Sequence, residues 1–231
     1  MEARSPLSVI TLAETRIVTP RDLEGKTVAA PEADAARLLF PLFAARTGVD
    51  AATIRWMDVE PSLRESALAA GGADAITGFS TAAPFLTIQG VHPSRIRVLR
   101  YADHGLDLYS SALFARAAFL QSNADAVRRF ARAFNQALQL LIAQPEVAIT
   151  ALRQLAPRAD VALETARLRT PLAELIITPT VRRHGLAHVD RERLARNIAD
   201  VAAALKLPAP PTGAVYTDAL LPPLALRQLP R

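Results

Sequence analysis

From Lys26 to Tyr101 the chain alternates short β-rich runs with stretches of helical spacing, the pattern of a parallel sheet with helical crossovers. The runs are TVAA (Thr27–Ala30), IRWMDV (Ile54–Val59), DAITG (Asp74–Gly78) and IRVLRY (Ile96–Tyr101). Between them the spacing predicts helices over Asp34–Arg46, Ser62–Ala70 and Thr81–Gln89, stopped by Gly48, by the pair Gly71 and Gly72, and by Gly90. Four strands and three crossovers make a compact α/β lobe.

The alternation stops at RYADHGLDLYSS (Arg100–Ser111), which packs two carboxylates, a histidine, a glycine and two tyrosines between apolar runs. A further β-like run, SALFA (Ser111–Ala115), follows, and then the texture turns helical. Val127, Phe130, Phe134, Leu138, Leu141 and Ile142 recur at three- and four-residue spacing, with Ser122 or Asn123 placed to cap the helix and Arg128, Arg129 and Arg132 on its polar face. Pro145 suits the first turn of the next helix, Pro171 and Pro179 interrupt the region beyond, and a last helix runs from Asp190 through Leu194, Ile198, Val201 and Leu205. The proline-rich tail is expected to lie as an extended strap or to fray.

Composition narrows the function classes. The 231 residues are 51% hydrophobic and 21% charged, enough for one sizeable domain or two small lobes, and no apolar run reaches a membrane span. The N-terminus does not read as a signal peptide, so the chain as given would stay cytoplasmic. Without cysteine there is no disulfide, thiolate metal site or cysteine nucleophile. The net charge of +5 comes from arginines scattered through alternating-sign helical segments without interleaved aromatics, so solvated helix faces explain it better than nucleic-acid binding. His92, His104, His184 and His188 sit in unrelated contexts, and no metal site or cofactor is expected. Neither a phosphate-binding glycine loop nor a nucleophile elbow is present.

In an open parallel sheet, ligands collect at the carboxyl ends of the strands. That rule names Glu32 and Asp34, then Glu60, then Thr77, Gly78 and Phe79, then Tyr101, Asp103 and His104, with Asp107 and Tyr109 on the same rim. Simpler roles compete. Asp34 and Ser62 suit helix caps, Phe79 and Trp56 suit a core, and Asp103 and Asp107 suit a turn about Gly105.

The order of segments resembles the solute-binding proteins of ABC importers for nitrate, sulfonates, taurine and thiamine-pyrimidine precursors. The resemblance rests on TPRDLEGK at 19–26, GGADAITGF at 71–79, DHGLDLYSSALFA at 103–115 and NADAVRRFARAF at 123–134 with its QPEVAI sequel, and extends from about Val9 to Leu221. It implies a periplasmic-binding-protein type II fold, α/β, with two lobes closing on a ligand about a hinge of crossing strands. Residues 24–105 would form a complete parallel-sheet lobe. Residues 1–23 and 106–231 would form an incomplete first lobe with C-terminal helices, the hinge lying near 103–109 with Gly105 supplying its torsions. A typical member carries roughly another hundred residues before the segment resembling SVITLAETRIVTP, so the helices are expected to expose apolar surface that invites self-association.

The resemblance further implies a periplasmic, non-catalytic protein with a small-molecule ligand and a membrane permease as partners. The carboxylate-rich rim, with Tyr101, Tyr109 and Phe79 for stacking, leans toward an amino-bearing heterocycle such as a thiamine-pyrimidine precursor over a sulfonate, taurine or nitrate. Two further readings share the architecture. One is a thiamine-pyrimidine synthase-like enzyme, which would need iron, a lysine-bound cofactor and a cysteine-rich motif. The other is the effector-sensing part of a transcription regulator, which would need a DNA-reading segment.

Overall fold

The computed structural model describes residues 3–230. The chain divides into two compact units, one formed by Ser5–Leu108 with Asn197–Ala209, the other by the residues up to Arg4, Tyr109–Arg196 and the tail from Pro210.

The first unit is built on a sheet of β1 (Leu7–Leu12), β2 (Thr27–Ala30), β3 (Arg55–Asp58), β4 (Ala75–Phe79) and β5 (Ile96–Arg100), in the order β3-β2-β4-β1-β5. β2 is parallel to β3 and β4, whereas β1 is antiparallel to both β4 and β5. The four strands expected from the sequence therefore run parallel, and β1 enters among them reversed. This corrects its assignment, with residues 1–23, to the lobe of the C-terminal helices. The reason is pairing on both sides: Leu7 stands opposite Phe79 and Ser8 opposite Arg100.

Strand parity separates two cores. Leu7, Val9, Val28, Ala75, Leu99 and Tyr101 face one layer, with Phe40 and Phe43; Ile10, Leu12, Ala29 and Ile76 face the other, with Leu68 and Leu86. With both faces covered, all six residues of β1 are buried, including the polar ones. The Ser8 hydroxyl donates to Pro6 O at 2.9 Å and the Thr11 hydroxyl to Asp74 O at 2.8 Å, so neither is left unsatisfied.

The crossovers are more broken than their spacing suggests. The expected helix over Asp34–Arg46 is two, α1 (Ala35–Leu38) and α2 (Phe40–Thr47). Pro41 has no N–H to give to the turn before it, so the ladder is interrupted at Leu39. Next comes α3 (Arg64–Ala69), entered through a 3₁₀ turn at Pro61–Leu63. Pro84 likewise reduces the third expected helix to a 3₁₀ turn and the short α4 (Phe85–Ile88).

In the second unit, no strand occurs among the described residues. Ser111–Ala115, expected as a strand, is irregular and exposed, because nothing in its unit offers it a ladder. The helices are α5 (Ala117–Ser122), α6 (Ala124–Ala143), α7 (Pro145–Leu155), α8 (Val161–Pro171), α9 (Pro179–His184), α10 (Arg191–Ala204) and α11 (Thr212–Val215), the division between the units falling within α10. Pro145 opens α7, and Asp190 caps α10 by accepting from Arg193 N at 2.8 Å. The Thr178 side chain caps α9, accepting from Val181 N at 3.3 Å.

The core of this unit is small: Ala3, Val181 and Leu186, with Leu138, Ile142, Ile176 and Leu229 against them. The tail lies on it as a strap. Leu186 N donates to Arg227 O at 2.7 Å and Arg227 Nη1 returns a bond to Leu186 O at 2.6 Å. Asn135 Nδ2 donates to Leu226 O at 2.6 Å and Gln139 Nε2 to Gln228 O at 2.7 Å. Between α7 and α8 runs an open groove of about 750 Å3, lined by Ile149, Arg153, Val161 and Leu168 among others. It lies on a different unit from the strand-end rim.

Candidate functional site

The carboxyl ends of β2, β3 and β4 meet at one edge of the sheet. The β2–β3 ladder ends at Ala30 opposite Asp58 and the β2–β4 ladder pairs Ala29 with Ile76, so counting two or three residues onward brings Glu32, Glu60 and Phe79 to one level. All three are exposed there, Phe79 at 46%.

Just behind this level lies a closed ionic floor. Asp34 caps α1, accepting from Arg37 N at 3.0 Å, and also accepts from the Thr77 hydroxyl at 2.8 Å and from Arg64 Nη1 at 3.3 Å. Arg64 in turn donates Nη2 to Glu65 at 2.7 Å. The side chains of Asp34, Arg64 and Glu65 are only 12, 16 and 13% exposed, and Thr77 is fully buried. Gly78 makes room for this arrangement, since a Cβ there would stand 2.8 Å from Arg64 Nη1. A second arginine, Arg37, spans the end of the β2–β3 pair. It donates to Ala30 O at 3.0 Å, pairs with Asp58, and lies over the Trp56 ring at 5.0 Å.

The structure thus brings Asp34, Thr77 and Gly78 together, with Glu32, Glu60 and Phe79 beside them. Asp34 is both the helix cap that its position suggested and the hub of the floor. Sequence reasoning missed Arg64 and Arg37. Both sit inside helices rather than in the turns after strands, and the readable signal was Gly78, a residue without a side chain where a large neighbour needs space.

Tyr101 does not belong to the exposed rim. Its ring stacks on Phe43 at 4.1 Å, it is fully buried, and its hydroxyl donates to Ala36 O at 2.8 Å. Burial, reinforced by the charge of Asp34, pushes its pKa well above the ordinary value of 10.0. The stacking role expected for it is corrected to a core role, because residues two apart on a strand share a face and Leu99 already faces that core.

Asp103 and Gly105 follow β5, which is separated from β4 by β1 and so stands about 10 Å along the edge from Thr77. Asp103 pairs with Arg100 at 3.4 Å in a 3₁₀ turn over Tyr101–His104, closed by Gly105 at φ 87°. Asp107 is exposed, and its carbonyl accepts from Asn197 Nδ2 at 3.1 Å. Tyr109 belongs to the helical unit, where its hydroxyl accepts from Asp190 N at 2.9 Å and Arg193 lies over its ring at 4.0 Å. Among the described residues, no group of three or more histidine, aspartate or glutamate side chains is arranged to hold a metal ion.

Known structures share the architecture. The alkanesulfonate-binding protein SsuA from Xanthomonas axonopodis pv. citri, bound to MOPS, superposes with a TM-score of 0.64 at 20% identity over 91% of this chain and 68% of its own. The periplasmic aliphatic sulphonate binding protein SsuA from Escherichia coli gives a TM-score of 0.68 at 17% identity over 97% of this chain and 65% of its own. A ligand-binding component of an ABC-type import system from Staphylococcus aureus, with zinc bound, gives 0.57 at 10% identity over 97% of this chain and 70% of its own. The chain therefore spans about two thirds of the length of these proteins, and such distant likeness establishes the fold alone. No curated protein matches it in sequence. The family described as NMT1/THI5 like matches residues 2–148, well over half of the chain, and this protein belongs to that family.

Proposed function

We propose that the protein is the solute-binding component of an ABC-type importer, and that it captures a small polar ligand on the strand-end rim of its sheet unit. The observation that carries this reading is the level at which Glu32, Glu60 and Phe79 stand exposed in front of the buried floor of Asp34, Thr77 and Arg64. Exposed carboxylates accept hydrogen bonds from amino groups, and a half-exposed flat ring offers a stacking face. The ligand that fits is an amino-bearing heterocycle such as a thiamine-pyrimidine precursor. Asp103, Asp107 and Tyr109 lie on the segment 103–109, which is read as the hinge. That segment ends at the division between the units, and Gly105 holds a left-handed torsion within it.

The reading includes no chemical step. Ligand binding shifts the population toward a closed form, and a membrane permease reads that form on the periplasmic side.

An alkanesulfonate is the second reading, and one observation favours it. Arg37 and Arg64 bring two guanidinium groups to the same edge, and Asp34, which would repel an anion, is engaged by Arg64 and Thr77.

A thermal-unfolding screen against aminopyrimidines, alkanesulfonates, taurine and nitrate separates these readings. A ligand at 100 times its Kd stabilises the folded state by about 2.7 kcal/mol, which for a chain of this size raises the midpoint by roughly 5–10 °C. A shift with an aminopyrimidine alone is the expected result. A shift with sulfonates alone overturns the heterocycle reading, and no shift with any of them overturns solute binding by this chain.

A further inference from the structure

The C-terminal tail is fastened to the helical unit at the loop of residues 185–189, which joins α9 to the head of α10. Leu186 exchanges two hydrogen bonds with Arg227, the Tyr216 hydroxyl donates to Ala187 O at 3.1 Å, and Leu229 packs on the small core of Ala3, Val181 and Leu186. Ala187 holds φ 59°, a left-handed torsion that a side chain disfavours, so the shape of the loop depends on the bonds that hold it. A histidine stands at each end of this loop. The rings of the exposed His184 and the half-buried His188 stack with centroids 4.5 Å apart and planes 22° from parallel. Among the described residues neither ring makes a hydrogen bond.

We infer that this loop is an acid-sensitive latch: protonation of the stacked histidines loosens the tail from the helical unit while the sheet unit stays folded. Two imidazolium rings at this spacing repel each other. The tail adds a third cation. Arg227 donates Nη1 to Leu186 O at 2.6 Å and Nε to Pro222 O at 2.9 Å, so both bonds go to carbonyls, and among the described residues no carboxylate pairs with it. Detaching the tail takes Arg227 away from the histidines and frees the strained loop between the two rings. The open form therefore accepts protons that the closed form resists.

The charges that face His188 come from each neighbouring element: His184 at the end of α9, Asp190 at the head of α10 and Arg227 on the tail. Burial lowers its pKa from the ordinary 6.5 and His184 adds to that, Asp190 works the other way, and Arg227 again lowers it. Arg191 and Asp218, next along α10 and the tail, pair with each other at 3.0 Å. With the folded-state pKa depressed, the closed form has its full advantage above 6.5 and loses it as pH falls through the window below that value. The latch is shut at neutral pH and opens in mild acid.

The test is amide hydrogen exchange of the full chain from about pH 7.5 to about pH 5, corrected for the intrinsic pH dependence of exchange. The amides of Leu186, Leu226 and Arg227 should lose protection several-fold below pH 6.5, by at most about tenfold per pH unit for each proton taken up, while β1 and α6 keep theirs. His188→Gln cannot take up the proton, so it should remove most of that loss while protection at neutral pH stays native. A second measurement needs no variant: followed by its ring protons, His188 of the natural chain should titrate at lower pH than it does in urea. Tail protection that is the same at both ends of the range, an equal loss in α6, a full loss that persists in His188→Gln, or a His188 titration at or above its unfolded value would each overturn the latch.

Discussion

Replacing Asp34 by alanine should be the most damaging single truncation on the rim, and the cost can be built from its contacts. The carboxylate caps α1, and losing such a cap costs about 1 kcal/mol. It accepts from Thr77, whose hydroxyl is fully buried and would be stranded at a cost of about 1–3 kcal/mol. It also shares Arg64 with Glu65, and loss of one partner of that partly buried guanidinium adds up to about 1 kcal/mol. Shared contacts do not add fully, so the expected loss is about 3 kcal/mol.

Asp34→Asn keeps an oxygen for the cap and for Thr77 and removes only the charge. It should cost about 1 kcal/mol. Trp56 is the only tryptophan and lies in β3, so its fluorescence during urea unfolding reports the sheet unit selectively. Adding Thr77→Val to Asp34→Ala should recover part of the loss, because an apolar group no longer needs the acceptor. If Asp34→Ala costs less than about 1 kcal/mol, or if Thr77→Val adds its own full penalty on top, the floor is not the coupled unit described here.

Tyr101 predicts an alkaline limb. Its folded-state pKa is raised above the ordinary 10.0, so the stability it confers is fully present below that pH and is lost as pH rises above it, where the unfolded chain gives up the proton first. Tyr101→Phe should cost about 1 kcal/mol near neutrality through the lost bond to Ala36 O, yet flatten the fall in urea midpoint above pH 10. An unchanged slope would show that other groups carry it. Gly185→Ala should release the tail: its φ is +80°, and a Cβ would stand 2.9 Å from Leu224 Cδ1 and 3.1 Å from Arg227 O. Limited proteolysis should then cut beyond Pro210 several-fold faster, while Trp56 fluorescence stays native.

The four strands expected between Thr27 and Tyr101 are present with ends shifted by a residue or so, because short β-rich runs bounded by turn residues leave a strong local signature whether the strand is buried, as β2 and β4 are, or half-exposed, as β3 is. The place of β1 was not legible. Its run reads as a strand, but the choice of neighbours is a long-range matter that no local pattern carries. Pro41 and Pro84 were visible breakers inside convincing helical spacing, and the missing N–H prevailed over the periodicity. On the rim, the strand-end rule found Asp34, Thr77 and Gly78. Arg64 escaped it because the side chain reaches back from within α3. Tyr101 was misjudged for a reason the sequence did contain, since period-two alternation sets it on the same face as Leu99.

The reversed strand at the heart of the sheet also dictates an order of events during synthesis. Ser8 pairs with Arg100, so β1 leaves the ribosome 92 residues before the neighbour that completes its burial. At about 5–20 residues per second, that interval lasts roughly 5–20 s. Throughout it, six consecutive residues that end up wholly enclosed have no partner on at least one side. Long-range pairing of this kind slows folding, because a large loop must close before any contact rewards it. The nascent chain thus exposes this segment well before its neighbour is made, and its yield in a cell depends on how well the segment is shielded until Ile96–Arg100 emerges.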